Sequence, residues 1–260
     1  MSASFFVFLL GFQLQTQRAM LIRTNAIVLR SLKYSDSQVI VDMLTEQSGR
    51  VSFICRLAKT AKGKLKKQLF QPLTILEISY DSRPRVTLQR ITDASIRQPF
   101  GSIPFHPYKL TISLFIAEFL LYSTRDEQQD LPLYQYVESS VRWLDATVRS
   151  FANFHLVFMM RLSRFIGFFP NLEDYRSGDF FDLRNGTFST LPPLHPDYLS
   201  PQESAKIGLL MRMNYESMHL FAMTRAERNR CTELILDYYR LHVPGFPELK
   251  SLPVLRELFD

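Results

Sequence analysis

The chain has 260 residues, 46% apolar and 22% charged, an ordinary globular composition with enough length to bury a core as one large domain or two small ones. Its net charge is +6, yet seven cations (Arg50, Arg56, Lys59, Lys62, Lys64, Lys66 and Lys67) fall in one acid-free stretch, so the rest is close to neutral and the basicity is a single hot spot. Two distant cysteines, Cys55 and Cys231, exclude a disulfide framework and a cysteine zinc site. They suit a reduced, cytoplasmic setting, and no two of the five histidines have metal-ligand spacing.

The chain opens on an apolar run, Phe5 to Phe12, far too short to span a bilayer. It lacks the positive flank and small-residue cleavage site of a signal peptide. Met20 stands just before the first strand pattern, so residues 1–19 read as an upstream extension; the alternative is a native segment docked on the body.

Residues 20–97 read as β. "TNAIVLRSL" and "SQVIVDMLT" are rich in Val, Ile and Leu, and "EQSGR" is a turn with Gly49 where a positive φ is cheap. "RVSFICR" alternates Val51, Phe53 and Cys55 against Arg50, Ser52, Ile54 and Arg56. "PLTILEISY" sets Leu76, Ile78 and Tyr80 on one face, Leu73 and Ile75 on the other, and "RVTLQRI" completes the set. Five antiparallel strands with their longest gap after the third suit a closed barrel of the OB type, with an SH3-like barrel as competitor.

Residues 98–107 carry Pro99, Gly101, Pro104 and Pro107 and read as a linker. Residues 108–260 turn helical, which makes the chain α+β and two-domain. "YKLTISLFIAEFLLYST" is apolar on nearly every side and predicts a buried helix; "LYQYVESSVRWLDAT" and "SFANFHLVFMMRLSRFIGF" follow. An irregular insert at about 170–200 includes a hairpin signal at Asn185-Gly186. Ser200 with Glu203, and Thr224 with Glu227, predict capping boxes on two later helices. Phe115, Phe119, Phe158, Met159 and Met160 read as core rather than as a groove.

Nothing in the sequence assembles an active site. Phosphate-binding glycine motifs, nucleophile elbows and zinc-protease helices are absent, and Glu118 in its apolar helix reads as a structural hydrogen-bonding group. The chain is therefore read as no enzyme, with no metal or cofactor. The basic stretch points instead to nucleic acid: lysines in a loop track phosphates and release counterions without reading sequence. Exposed aromatic residues on a barrel face stack bases. The candidate contacts are Arg50, Arg56, Lys59, Lys62, Lys64, Lys66 and Lys67, with Arg30, Lys33 and Tyr34 from the first turn on the opposite rim of one groove. A solvated charge run is the plain alternative, and the stretch is equally compatible with DNA and RNA.

Several segments resemble the bacterial RecO family. They are Val28-Leu29-Arg30, Tyr34, Asp36, the Thr45–Gly49 turn, the basic loop and Phe70-Gln71-Pro72-Leu73 in the barrel, then Arg161-Leu162 and Gly167-Phe168-Phe169-Pro170 in the helices. The likeness runs from about residue 20 to the C-terminus. It implies an OB barrel plus a helical domain, binding of single- and double-stranded DNA, and annealing of complementary strands. It also implies loading of the recombinase RecA on strands coated by single-strand-binding protein (SSB), through the SSB C-terminal tail and usually with RecR. A cytoplasmic, nucleoid-associated repair factor of the RecF pathway follows. Many family members hold zinc on four cysteines in the insert; this insert has none, so Phe180, Phe181, Leu183 and Phe188 must hold it by packing. An interaction scaffold and an RNA-binding OB protein remain the alternatives.

Overall fold

The computed structural model describes residues 20–58, 65–125, 128–173 and 175–258; the segment 1–19 and Lys59, Lys62 and Lys64 lie outside the described residues. Five strands, β1 (Met20–Lys33), β2 (Gln38–Thr45), β3 (Gly49–Arg56), β4 (Ile75–Ser82) and β5 (Leu88–Ile96), close into a barrel in the order β1-β2-β3-β5-β4. β1 is long enough to pair β4 with its first half and β2 with its second, which closes the ring. A closed ring of five strands cannot be antiparallel throughout, because directions cannot alternate around an odd number. The expected all-antiparallel barrel is corrected at one seam: β3 and β5 run parallel from Ser52 opposite Leu88 to Ile54 opposite Arg90. This connectivity is that of the OB fold. β5 also starts later than the predicted Arg85, because the Gln89 amide donates to the Arg83 and Val86 carbonyls and holds those residues in the turn.

Alternation sorts the barrel's side chains. Ala26, Val28, Val41, Met43, Phe53, Cys55, Leu76, Ile78 and Tyr80 fill the interior. Ile27, Leu29, Leu44, Leu73 and Ile75 point outward and are equally buried, in one core with the helices. β1 is thus apolar on both faces over Ala26–Leu29 because both are covered.

Six α-helices follow among the described residues: α1 (Pro107–Ser123), α2 (Leu131–Ala146), α3 (Phe154–Phe165), α4 (Pro201–Arg212), α5 (Arg225–His242) and α6 (Leu252–Arg256). α1 is the hub, with Phe115 and Phe119 fully buried; Phe158, Met159 and Met160 of α3 are core as well. Glu118 holds the start of α6, accepting from the Lys250 and Ser251 amides at 3.0 and 2.8 Å. α3 begins four residues later than the predicted segment. Ser150 sits at φ 62°, and the Asn153 amide is drawn to the Met218 and Phe221 carbonyls. The Thr224–Glu227 capping box is made. The one expected at Ser200 is not: Glu203 is taken by Arg230 at 2.8 Å.

The insert folds into a small sheet, β6 (Phe180–Asp182), β7 (Thr187–Ser189) and β8 (Tyr198–Leu199), in the order β7-β6-β8. Gly186 takes φ 65° in the β6–β7 turn. Asp182 anchors that turn, accepting from the Arg184 and Asn185 amides and from the Asn185 side chain at 2.7–3.1 Å. Phe181 and Leu183 are buried in the main core, Phe188 packs on it, and Phe180 lies edge-on to Tyr198.

The linker is clamped to α2. Asp145 accepts from the Gly101, Ser102 and Ile103 amides at 2.8–2.9 Å, and buried Lys109 donates to the Ser102 hydroxyl and the Asp145 and Thr147 carbonyls. Charge-assisted bonds of this kind are worth more than neutral ones, although they do not add. Asp145→Ala is expected to lower unfolding stability by about 1.5–3 kcal/mol, measured by urea denaturation. No change in midpoint would show that the linker is held by its prolines alone.

Candidate nucleic-acid interface

The β1–β2 turn and the basic loop leave the barrel at the same end. The Tyr34 and Ser35 amides donate to the Gln38 carbonyl, Gln38 lies opposite Arg56, and the Leu57 amide donates to Ser37 at 2.8 Å. The loop is pinched at its neck by a 2.8 Å bond from the Ala58 amide to the Leu65 carbonyl. Lys66 and Lys67 emerge exposed on the return limb, where a short 3-10 turn (Lys67–Phe70) drops Phe70 into the barrel. Lys33, Tyr34, Arg56, Lys66 and Lys67 thus stand together at one barrel end, all exposed. Lys33 meets Asp36 at 2.9 Å, an exposed pair that costs little to exchange for a phosphate.

Arg30 and Arg50 share Asp42. Arg30 lies just past a bulge in β1, half exposed, and binds Asp42 at 2.8 Å. Arg50 is turned inward. It donates to the Leu121 carbonyl in the last turn of α1 at 2.6 Å and faces Asp42 at 3.5 Å, with its side chain only 12% exposed. That carbonyl is one of the unpaired acceptors of a helix C-terminus, where a cation is favoured. The structure therefore takes Arg50 out of the outward-facing set and makes it a bridge between barrel and helices. Burial pulls against ionisation of Asp42. The Ser52 hydroxyl at 2.5 Å and the two guanidiniums outweigh it and hold the carboxyl below its ordinary range.

Exposed Arg83 and Arg85, in the β4–β5 turn, and Arg90, beside Ile54 of β3, were not found from sequence. In OB barrels the β2–β3 face and the β1–β2 and β4–β5 turns are the ligand surfaces. These arginines are scattered singly, and only the parallel β3–β5 pairing brings Arg90 to that face. Aromatic residues do not pave it: Phe53, Phe70 and Tyr80 are buried inside, and Tyr34 is the exposed barrel tyrosine, at 63%.

A second cationic feature lies on the helices. Arg161 and Arg164 of α3 flank a groove of about 130 Å³ floored by Tyr136, Phe165, Phe169 and Met211. The Arg164 guanidinium stacks 4.4 Å from the Phe169 ring centre, and Tyr136 stacks on Phe165. Burial pushes the Cys55 thiol up to about 12 and Cys231 up to about 11, opposite to the lowering a reactive thiol needs. Among the described residues no cluster of His, Cys, Asp and Glu is placed to hold a metal ion, and no helix is long and apolar enough to cross a membrane.

A five-stranded OB barrel joined through a clamped linker to a helical domain, with one cationic barrel end, defines a two-domain OB-fold protein. Residues 20–100 match the family described as Recombination protein O N terminal, and residues 105–253 the family described as Recombination protein O C terminal. The chain is 52% identical over 241 residues to the DNA repair protein RecO of Phocaeicola vulgatus and 53% over 242 residues to that of Bacteroides fragilis; each match covers 93% of this chain and 100% of the relative. Identity to the Porphyromonas gingivalis DNA repair protein RecO is 36% over 245 residues, with the same coverage. The chain belongs to the RecO family of DNA repair proteins.

Proposed function

We propose that this chain binds single- and double-stranded DNA at the cationic barrel end and anneals complementary strands, as a mediator that performs no covalent chemistry. The observation that carries this reading is the acid-free basic stretch anchored beside the β1–β2 turn of an OB barrel. Arg30, Lys33, Tyr34, Arg56, Lys59, Lys62, Lys64, Lys66 and Lys67 form the proposed contact set. Arg83, Arg85 and Arg90 extend it, and Arg50 acts from behind by fixing β3 to α1. Cations that neutralise phosphates of two strands at once lower the repulsion that slows pairing. Base pairing then supplies the sequence specificity, so the protein need not read bases.

The Arg161–Arg164 groove supports the second half of the reading. An aromatic floor with two guanidiniums at its rim suits an acidic peptide that ends on an apolar residue, which is the chemistry of the SSB tail. With that docking, the reading extends to delivery of RecA to SSB-coated strands, in company with RecR, at the nucleoid in the cytoplasm. Annealing of labelled complementary strands, bare and SSB-coated, tests both halves. The protein is expected to accelerate both. The double variant Arg161→Ala/Arg164→Ala is expected to keep the bare-strand rate and lose about ten-fold on coated strands, the factor that ~1.4 kcal/mol of lost contact gives. A protein that fails to accelerate bare strands at low salt is not an annealing mediator. A variant that loses nothing on coated strands moves the tail site off this groove.

A further inference from the structure

We propose that the cleft between the barrel and α1 receives one unstacked nucleobase of a bound strand. The proposal rests on the DNA-binding reading above and assigns a part of the molecule which that reading leaves unused. The cleft has a volume of about 470 Å³, within the roughly 300–1,000 Å³ of pockets that hold small ligands. Its walls come from the segment after the basic loop, from the linker and from α1. Asp145 clamps that linker, so the cleft is already formed and binding need not reorganise it.

The lining has the two chemistries a heterocycle requires. Phe100 and Leu114 offer apolar surface to the faces of a flat ring. Gln68, Gln71 and Gln98 stand exposed at the rim, and each carries both a donor and an acceptor, as a base edge does. Ile103, Pro104 and Leu110 make the rest of the wall apolar, so the polar choice is made at the rim. An aliphatic peptide side chain would fill the same space and leave the three carboxamides without a partner from the ligand, whereas a base edge can pair with them, so a base is the better occupant.

The location fits a strand. Lys66 and Lys67 immediately precede Gln68, so the residues proposed to hold phosphate adjoin the cleft rim in the chain. A strand held by its phosphates on the loop would have a base to spare at the cleft mouth. Seating that base there opens the stack beside it and leaves neighbouring bases free to pair.

The test compares the intact chain's affinity, by fluorescence anisotropy, for a labelled oligothymidylate and for an abasic strand of the same length and charge. The base-bearing strand is expected to bind about ten-fold tighter, the scale of one stacked base. Two separate variants, Gln71→Ala/Gln98→Ala at the exposed rim and Leu114→Trp to fill the cleft, are each expected to cut that ratio at least about three-fold. Neither should change the salt dependence, because no charge is touched. Equal binding of both strands by the wild type overturns the base pocket and leaves the DNA reading standing. A preference that survives both variants overturns it too, because the base is then held elsewhere. Failure to bind either strand overturns the pocket and the DNA reading together. If Leu114→Trp abolishes binding of an acidic apolar peptide while the strand ratio is unmoved, the occupant is a peptide and the proposal is wrong.

Discussion

Replacing Lys59, Lys62, Lys64, Lys66 and Lys67 together by alanine is expected to weaken single-strand binding about 10²–10³-fold at 0.1 M salt, and to flatten the plot of log affinity against log salt by about 3–4 units. The size follows from counterion release, since each phosphate neutralised on a single strand contributes about 0.7 to that slope. The slope is the decisive readout. A variant that lost affinity through misfolding would bind poorly at every salt concentration and would lose its cooperative melt. A variant that had lost only phosphate contacts would melt normally and converge on the wild type as salt rises. Lys66 and Lys67 are exposed, and the neck bond from Ala58 to Leu65 uses backbone alone, so the barrel does not depend on these ammonium groups. An unchanged slope would leave the loop a solvated face. The DNA site would then be sought around Arg83, Arg85 and Arg90.

Much of the architecture was legible because local pattern and tertiary role agree. Leu76, Ile78 and Tyr80 alternate with Leu73 and Ile75, and the two faces do enter two different cores. Thr224 and Glu227 form their box, the Glu227 carboxylate accepting from the Thr224 amide and hydroxyl at 2.8 and 2.9 Å. Glu203, three residues past Ser200 in the same motif, is claimed by Arg230 from α5, a contact between residues far apart in sequence. That some seam had to be parallel was open to deduction from strand number alone, since five strands cannot alternate around a ring; that it is the β3–β5 seam was not.

The site was legible as charge and illegible as direction. Arg50 and Arg56 flank one strand with the same residue type, and alternation alone put both outside the barrel. Outside means solvent for Arg56 and the end of α1 for Arg50, and only the docking of the helices makes that distinction. Arg90 was missed for the converse reason, because a seam between distant segments carries it to the β3 face. The cleft is a junction of three segments, each unremarkable alone, so no local motif marks it.

Asp42→Asn is the largest structural effect expected, a loss of about 3–4 kcal/mol of unfolding stability above pH 5. Asp42 is 3% exposed and answers two guanidiniums. Arg30 is 41% exposed and can be rehydrated, so its share is small. Arg50, at 12%, cannot, and would keep its charge beside a neutral amide in the seam between barrel and helices. Since the folded carboxyl is held below its ordinary value, its contribution is complete above about pH 5 and fades as pH falls through the folded value. Urea denaturation from pH 7 to pH 3 should therefore show wild type and variant far apart at neutral pH and converging in acid. A gap that stays constant down to pH 3 would mean that the variant's loss comes from packing and not from the charge on Asp42. A second variant, Arg50→Met, separates anchoring from binding. Arg50 faces the end of α1 and Asp42, so at low temperature, where that variant is folded, its salt slope for DNA should match the wild type. A slope lowered by about one unit would return Arg50 to the phosphate-binding set.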